Sequence, residues 1–110
     1  PHNRWTAYES PRGSDWLQID FGTPRRVARV EVAIYDDRGG VQPPERFHVE
    51  HQDGERWLPV TGERHVPEAP AGGTFNEARF DAVETARIRV VFTHRGAARS
   101  GVSEILVWGE

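Results

Sequence analysis

Ala28–Tyr35 reads ARVEVAIY, and its alternation decides the fold. Ala28, Val30, Val32 and Ile34 alternate with Arg29, Glu31, Ala33 and Tyr35, the period-two pattern of a half-buried strand. The pattern returns in TARIRVVF (Thr85–Phe92), where Ala86, Ile88, Val90 and Phe92 alternate with Arg87, Arg89 and Val91. In DWLQIDF (Asp15–Phe21), Leu17, Ile19 and Phe21 point one way and Trp16, Gln18 and Asp20 the other. Gly22-Thr23-Pro24 then reads as a turn. Further strands are expected at Arg46–His51, at Arg56–Val60 after the hairpin signal Asp53-Gly54, at Thr74–Phe80 and at Val102–Trp108. No window of about a dozen residues carries a helical apolar stripe. Roughly seven short strands with turns every 8–12 residues predict one all-β domain over residues 1–110, an antiparallel β-sandwich or jelly roll.

Between these strands run Tyr35–Pro44, Thr61–Gly73 and Arg95–Gly101, polar connections longer than a minimal hairpin needs. Pro1–Ser14 reads as an irregular loop pinned by Trp5. A first residue of Pro1 rather than Met is expected of a piece of a longer chain. The 110 residues are 36% hydrophobic and 28% charged, a globular balance rather than a disordered one. A net charge of −3, with arginines spread along the chain, gives no footprint for nucleic acid. No apolar run approaches the roughly 20 residues of a membrane span. The absence of cysteine excludes disulfides, thiol catalysis and thiolate metal sites.

The side chains favour binding over catalysis. A glycosidase needs two carboxylates across a cleft, roughly 5–9.5 Å apart. Asp36 and Asp37 are sequence neighbours and in extended backbone point to opposite sides. His48 and His51 face opposite ways on one strand and cannot share a metal as i,i+4 helical histidines do. Neither a nucleophile elbow nor a phosphate-cradling glycine loop is present. Sugar recognition asks for other groups: a forked guanidinium for adjacent hydroxyls, carboxylates as acceptors, and an aromatic ring for the apolar sugar face. The loops offer these at Tyr8, Tyr35, Asp36, Asp37 and Arg38, at His65, and at His94, Arg95 and Arg99. In a sandwich, loops from alternate strand ends gather at one edge, where these groups can meet. Glu104 lies among Ile105, Leu106 and Val107, so it either occupies the solvent face or meets a cation. A hard cation such as calcium would take oxygen ligands, for which Asn3 offers an amide if the termini meet.

Six segments in order resemble the discoidin, or factor V/factor VIII C-type, domain family. They are NRW (Asn3–Trp5), DWLQIDFG (Asp15–Gly22), VARVEVAIY (Val27–Tyr35), DGERW (Asp53–Trp57), TARIRVVF (Thr85–Phe92) and SGVSEILVWG (Ser100–Gly109). That family includes the family 32 carbohydrate-binding modules of bacterial glycoside hydrolases. The resemblance implies a sandwich with ligand loops at one edge. It also implies a non-catalytic module that holds a larger, secreted bacterial hydrolase near its glycan. The partners expected are a glycan or small sugar and the catalytic domain of the same chain. A structural accessory sandwich with no ligand of its own is the competing expectation. The resemblance further implies a structural Ca2+ at Glu104, with Asn3 where the family often has a threonine ligand. The family's preceding strand and Asp-Gly loop, with their further ligands, are expected to be missing from this stretch.

Overall fold

The computed structural model describes residues 5–110, with side chains from residue 6 onward. Seven strands follow one another: β1 (Trp5–Thr6), β2 (Ser14–Ile34), β3 (Arg46–Asp53), β4 (Arg56–Pro59), β5 (Arg64–Val66), β6 (Phe75–Thr93) and β7 (Gly101–Trp108). The architecture is the expected antiparallel β-sandwich, and the way it is made differs from the expectation in one respect. Four of the expected strands fuse into two long ones, β2 with 21 residues and β6 with 19.

These two strands form a single antiparallel ribbon. The first half of β2, Ser14 to Asp20, pairs with the last part of β6, from Thr93 back to Arg87. The second half, Arg25 to Ala33, pairs with β6 from Thr85 back to Phe75. Between the halves β2 advances from Asp20 to Arg25 while β6 advances only from Arg87 to Thr85. The excess residues on β2 bulge, and a bulge bends and twists a ribbon. Gly22 sits in that bend at φ 82, its N–H donating to Asp20 Oδ1 at 2.8 Å. The expected turn at Gly22-Thr23-Pro24 is therefore a corner within one strand and not a chain reversal. Buried Thr85 braces the same corner, its hydroxyl donating to the carbonyls of Gln52 and Arg87.

Each half of the ribbon seeds one layer. Beyond β6 the first half carries β3 and then β4; the second carries β7 and β1 on the β2 side and β5 on the β6 side. Folding at the corner brings the inner faces together. Val27, Val30, Val32 and Ile34 of one layer join Phe47, Val49, Ile88, Val90 and Phe92 of the other in one buried cluster. Each such side chain contributes about 1.5–3 kcal/mol by leaving water. Val27 is buried where Ala28 was expected inward, because a second register shift lies between Val27 and Arg29. The long loop expected over Thr61–Gly73 contains β5, which pairs Arg64, His65 and Val66 with Arg79, Ala78 and Glu77. In β7 the register moves from Ala33↔Glu104 to Ile34↔Val102, a bulge at which Ser103 and Glu104 are both exposed.

Replacing Phe92, fully buried between the layers, by Ala is expected to cost about 3–5 kcal/mol in urea unfolding. Val66→Ala, at a side chain 65% exposed, is expected to stay within about 0.5 kcal/mol. Equal losses at the two positions would contradict this placement of the core.

Candidate functional site

Three connections meet at the end of the sandwich where β2 starts and β6 ends. They are the stretch between β1 and β2 (residues 7–13), that between β2 and β3 (35–45), and that between β6 and β7 (94–100). Backbone hydrogen bonds stitch them together: Ala7 N–H to Ser100 O at 2.9 Å, His94 N–H to Gly13 O at 2.9 Å, Arg99 N–H to Gly40 O at 2.8 Å, and Gln42 N–H to Arg99 O at 2.9 Å. Val41 and Arg99 form a parallel bridge. The loop before β6 joins from the side: a Cβ added at Gly72 would lie 2.7 Å from Asp36 Cβ.

Beneath these loops lies a buried polar set. His94, whose side chain has no exposed surface, places Nε2 2.8 Å from Asp15 Oδ2 and Nδ1 2.8 Å from Ser100 Oγ. The Ser100 backbone N–H also points at Nδ1, at 3.1 Å, and can only donate. Nδ1 is therefore the acceptor, and the ring proton sits on Nε2, facing the carboxylate. Arg12 closes the set from outside by pairing with Asp15 Oδ1. A Ser-His-Asp grouping invites a hydrolytic reading. Ser100 is fully buried, however, so its hydroxyl has no open path to a substrate. The grouping ties the starts of β2 and β7 to the end of β6. Burial pushes the Asp15 carboxyl upward, but hydrogen bonds from Ser10, His94 and Arg12 and the Arg12 charge outweigh it and hold it below the usual 3.8.

The residues singled out from sequence divide into those that build the loops and those that face outward. Asp36 Oδ1 accepts the Arg38 N–H at 2.7 Å, and Asp37 Oδ1 accepts Gly39 N–H at 2.7 Å and Val41 N–H at 3.0 Å. Both aspartates thus fold their own loop as Asx turns, and Arg38 takes the left-handed φ of 61 that results. The Arg99 guanidinium donates to the carbonyls of Ser10, Gly96 and Ala98, so it clamps two loops. His94, being buried, acts on these loops from beneath. Arg38 and Arg95 are exposed, and among the described residues their guanidinium groups have no partner. Tyr35 is half-buried at the root of its loop, its N–H held by Gly101 O. His65 stands apart on β5, its ring centre 4.5 Å from that of Phe47 and its Nε2 bonded to Glu63. Asn3 and the Trp5 side chain lie outside the described residues.

The same end of the molecule holds an open depression of about 350 Å³ lined by Thr6, Ala7, Tyr8, Glu9, Ser10, Arg12, Asp15 and Trp16. Tyr8 and Trp16 are 59% and 49% exposed, unusual for rings of that size and suited to a flat apolar ligand face. Tyr8 is seated against Gly40, where an added Cβ would come within 2.5 Å of the Tyr8 ring. Sequence reasoning placed Trp16 on the outward side of its strand without assigning it to a site. The depression it lines is built within residues 6–16, where β1, its following loop and the start of β2 lie together. Arg12 and Asp15 were passed over because their meeting with His94 spans the chain.

His94→Ala leaves Asp15 and Ser100 buried without their partner, and each unsatisfied group costs about 1–3 kcal/mol. The variant is expected to melt lower and to lose amide-exchange protection at Ala7, Gln42 and Arg99. A lowered folded-state value means that Asp15 stabilises fully above 3.8 and loses this contribution as pH falls through the lower value. Asp15→Asn should therefore be less stable than the parent at neutral pH, and the gap should close in acid. A gap that persists at low pH would contradict the assignment.

The F5/8 type C domain family matches residues 1–105. No curated protein matches the chain. Among solved structures, one from the beta-galactosidase BgaA of Streptococcus pneumoniae superposes with a TM-score of 0.90 at 22% identity, covering 100% of this chain and 77% of the other. Chitosan-binding module 1 of a chitosanase/glucanase from Paenibacillus sp. IK-5 gives 0.66 at 21% identity, covering 96% and 76%. A pectin-binding carbohydrate-binding module gives 0.65 at 17% identity, covering 94% and 70%. At these identities the superpositions speak for the shared sandwich, and the match over nearly the whole chain speaks for its kinship: this protein belongs to the F5/8 type C domain family.

Proposed function

We propose that this domain is a non-catalytic carbohydrate-binding module, carried by a larger secreted glycoside hydrolase of a bacterium. One observation carries the reading: the open depression at the loop end, where half-exposed Trp16 and Tyr8 stand beside Arg12 and Glu9. Rings supply the apolar faces a pyranose can stack on, and guanidinium and carboxylate supply donors and acceptors for its hydroxyls. Arg38 and Arg95 extend the donor set along the rim, while Asp36, Asp37, His94 and Arg99 hold the rim in shape. The solved neighbours that bind chitosan and pectin support the same class of ligand. An open site of this kind fits affinities from millimolar to micromolar. Titration calorimetry of the intact parent protein against chitosan oligomers, pectin fragments and galactosides, preceded by a broad glycan array, tests the reading. Trp16→Ala is expected to weaken the bound sugar at least about tenfold, or ~1.4 kcal/mol. Absence of binding to every glycan would end the proposal.

An accessory role against the catalytic domain draws on a separate observation. Val66 and Phe75, 65% and 40% exposed, lie on the outer side of the layer that holds β5 and β7. Under that reading deletion of the domain would lower the melting temperature of the parent enzyme, which a sugar-binding role alone does not require.

A structural calcium at Glu104 is a distinct proposal. Among the described residues no group of three or more His, Asp or Glu side chains is arranged to hold a metal. Glu104 would therefore depend on Asn3 and on backbone oxygens for the rest of a shell. Melting curves of the parent protein with calcium and with chelator decide it: a rise with the ion and a fall without it are expected, lost in Glu104→Ala.

A further inference from the structure

The outer face of the β3–β4 layer carries an arrangement that the proposed site does not by itself explain. Cross-strand register places Gln18, Arg89 and Glu50 in one row, with Trp16, Val91 and His48 in the row nearer the loops. Gln52 and Trp57 are paired in the row beyond. Arg89 is thus a diagonal neighbour of Trp16, a distance that long side chains bridge. Its guanidinium carbon lies 4.8 Å from the Trp16 ring centre and 4.4 Å from that of Trp57, over both rings. Arg89 Nε donates to Glu50 Oε1 at 2.7 Å, and the other Glu50 oxygen lies 2.8 Å from His48 Nε2. The Arg89 and Glu50 side chains are 21% and 17% exposed, so the planar cation is held in place between two indoles and a partly buried carboxylate.

The Trp16 end of this stack borders the depression. Arg89 covers one face of Trp16, while the ring also lines the depression with Tyr8 and Arg12. A half-exposed indole with no such backing would move among its rotamers and lose that freedom when a sugar packed on it. Immobilising a side chain of this kind costs conformational entropy on binding, a cost that prior ordering removes. We propose that Arg89, aligned by Glu50, is a positioning residue that fixes Trp16 as a rigid wall of the carbohydrate site; this rests on the binding reading given above. The planar fork is needed for the role, because a lysine ammonium cannot lie flat between two rings while also meeting the carboxylate side-on.

Calorimetry of the intact protein with chitosan oligomers, pectin fragments and galactosides, alongside 15N relaxation of the Trp16 indole N–H, provides the test. Arg89→Ala and Arg89→Lys are both expected to weaken the sugar that the parent binds by roughly two- to tenfold and to make the Trp16 indole mobile. Glu50→Gln, which keeps the volume and removes the charge, is expected to shift both readouts in the same direction by less, and it carries the test if Arg89→Ala does not fold. Parent-like affinity in Arg89→Ala or Arg89→Lys, with Trp16→Ala impaired, would overturn the positioning role and leave the binding reading intact. Failure of the parent protein to bind any glycan of a broad array, these probes included, would overturn the binding reading and this inference together.

Discussion

The contact on which the loop end depends is the one between His94 and Asp15, two residues separated by most of the chain and buried together. A carboxylate in that position is tolerated only because its oxygens are occupied by Nε2 of His94 and by Arg12. The histidine is oriented in turn by Ser100, whose N–H and hydroxyl both address Nδ1. Three connections that would otherwise wander acquire a common floor. The exposed groups above it inherit their positions from that floor. His94 and Arg99 thus serve the shape of the loop end.

A second constraint acts on the scale of the whole sandwich. The β2–β6 ribbon is continuous, so both layers share two strands and their relative placement follows from the corner at Gly22 and Thr85. Trp16 leaves the first half of β2 toward the outer face near its starting end, beside Tyr8 and Arg12. Without the bend the two halves of the ribbon would lie in one layer, and the side chains of the inner cluster would have no facing partners.

Much of this was legible in the sequence, and the gaps have physical causes. Ile88, Val90 and Phe92 are buried and Arg87 is exposed, as their alternation requires. Period two reports which side a residue faces, and it does so within a stretch of unbroken register. At Val27 and Ala28 a shift in the pairing exchanges the expected inward residue for its neighbour, which no local pattern encodes. Gly22-Thr23-Pro24 carried the composition of a reversal, yet the same residue types serve a bulge, and tertiary pairing chose between them. Three-residue β5 is too short to show periodicity and is followed at once by Pro67. At the loop end, three of the stretches read from sequence as connections do converge, while the division of labour among their side chains was hidden. Asp15 and Ser100 meet through His94 by contacts between distant segments, and such contacts leave no spacing to read.

The loop over Asp36–Val41 shows how that division arises. Its two carboxylates could have paired with Arg38 across a turn, which would have neutralised the loop's cation. They accept backbone N–H groups instead, at Arg38, Gly39 and Val41. An Asx turn satisfies donors that a tight loop cannot pair within itself, and it ties up carboxylate oxygens in doing so. The turn sends the backbone at Arg38 into a left-handed conformation, and its guanidinium is left exposed with no protein partner among the described residues. Arg99 follows the opposite course: three carbonyls take its donors and it becomes part of the frame. Two arginines on touching loops thus serve different ends for a reason that lies in the backbone. Where the chain leaves carbonyls converging, the guanidinium is drawn inward. Where aspartates have already met the amides, it stays at the surface.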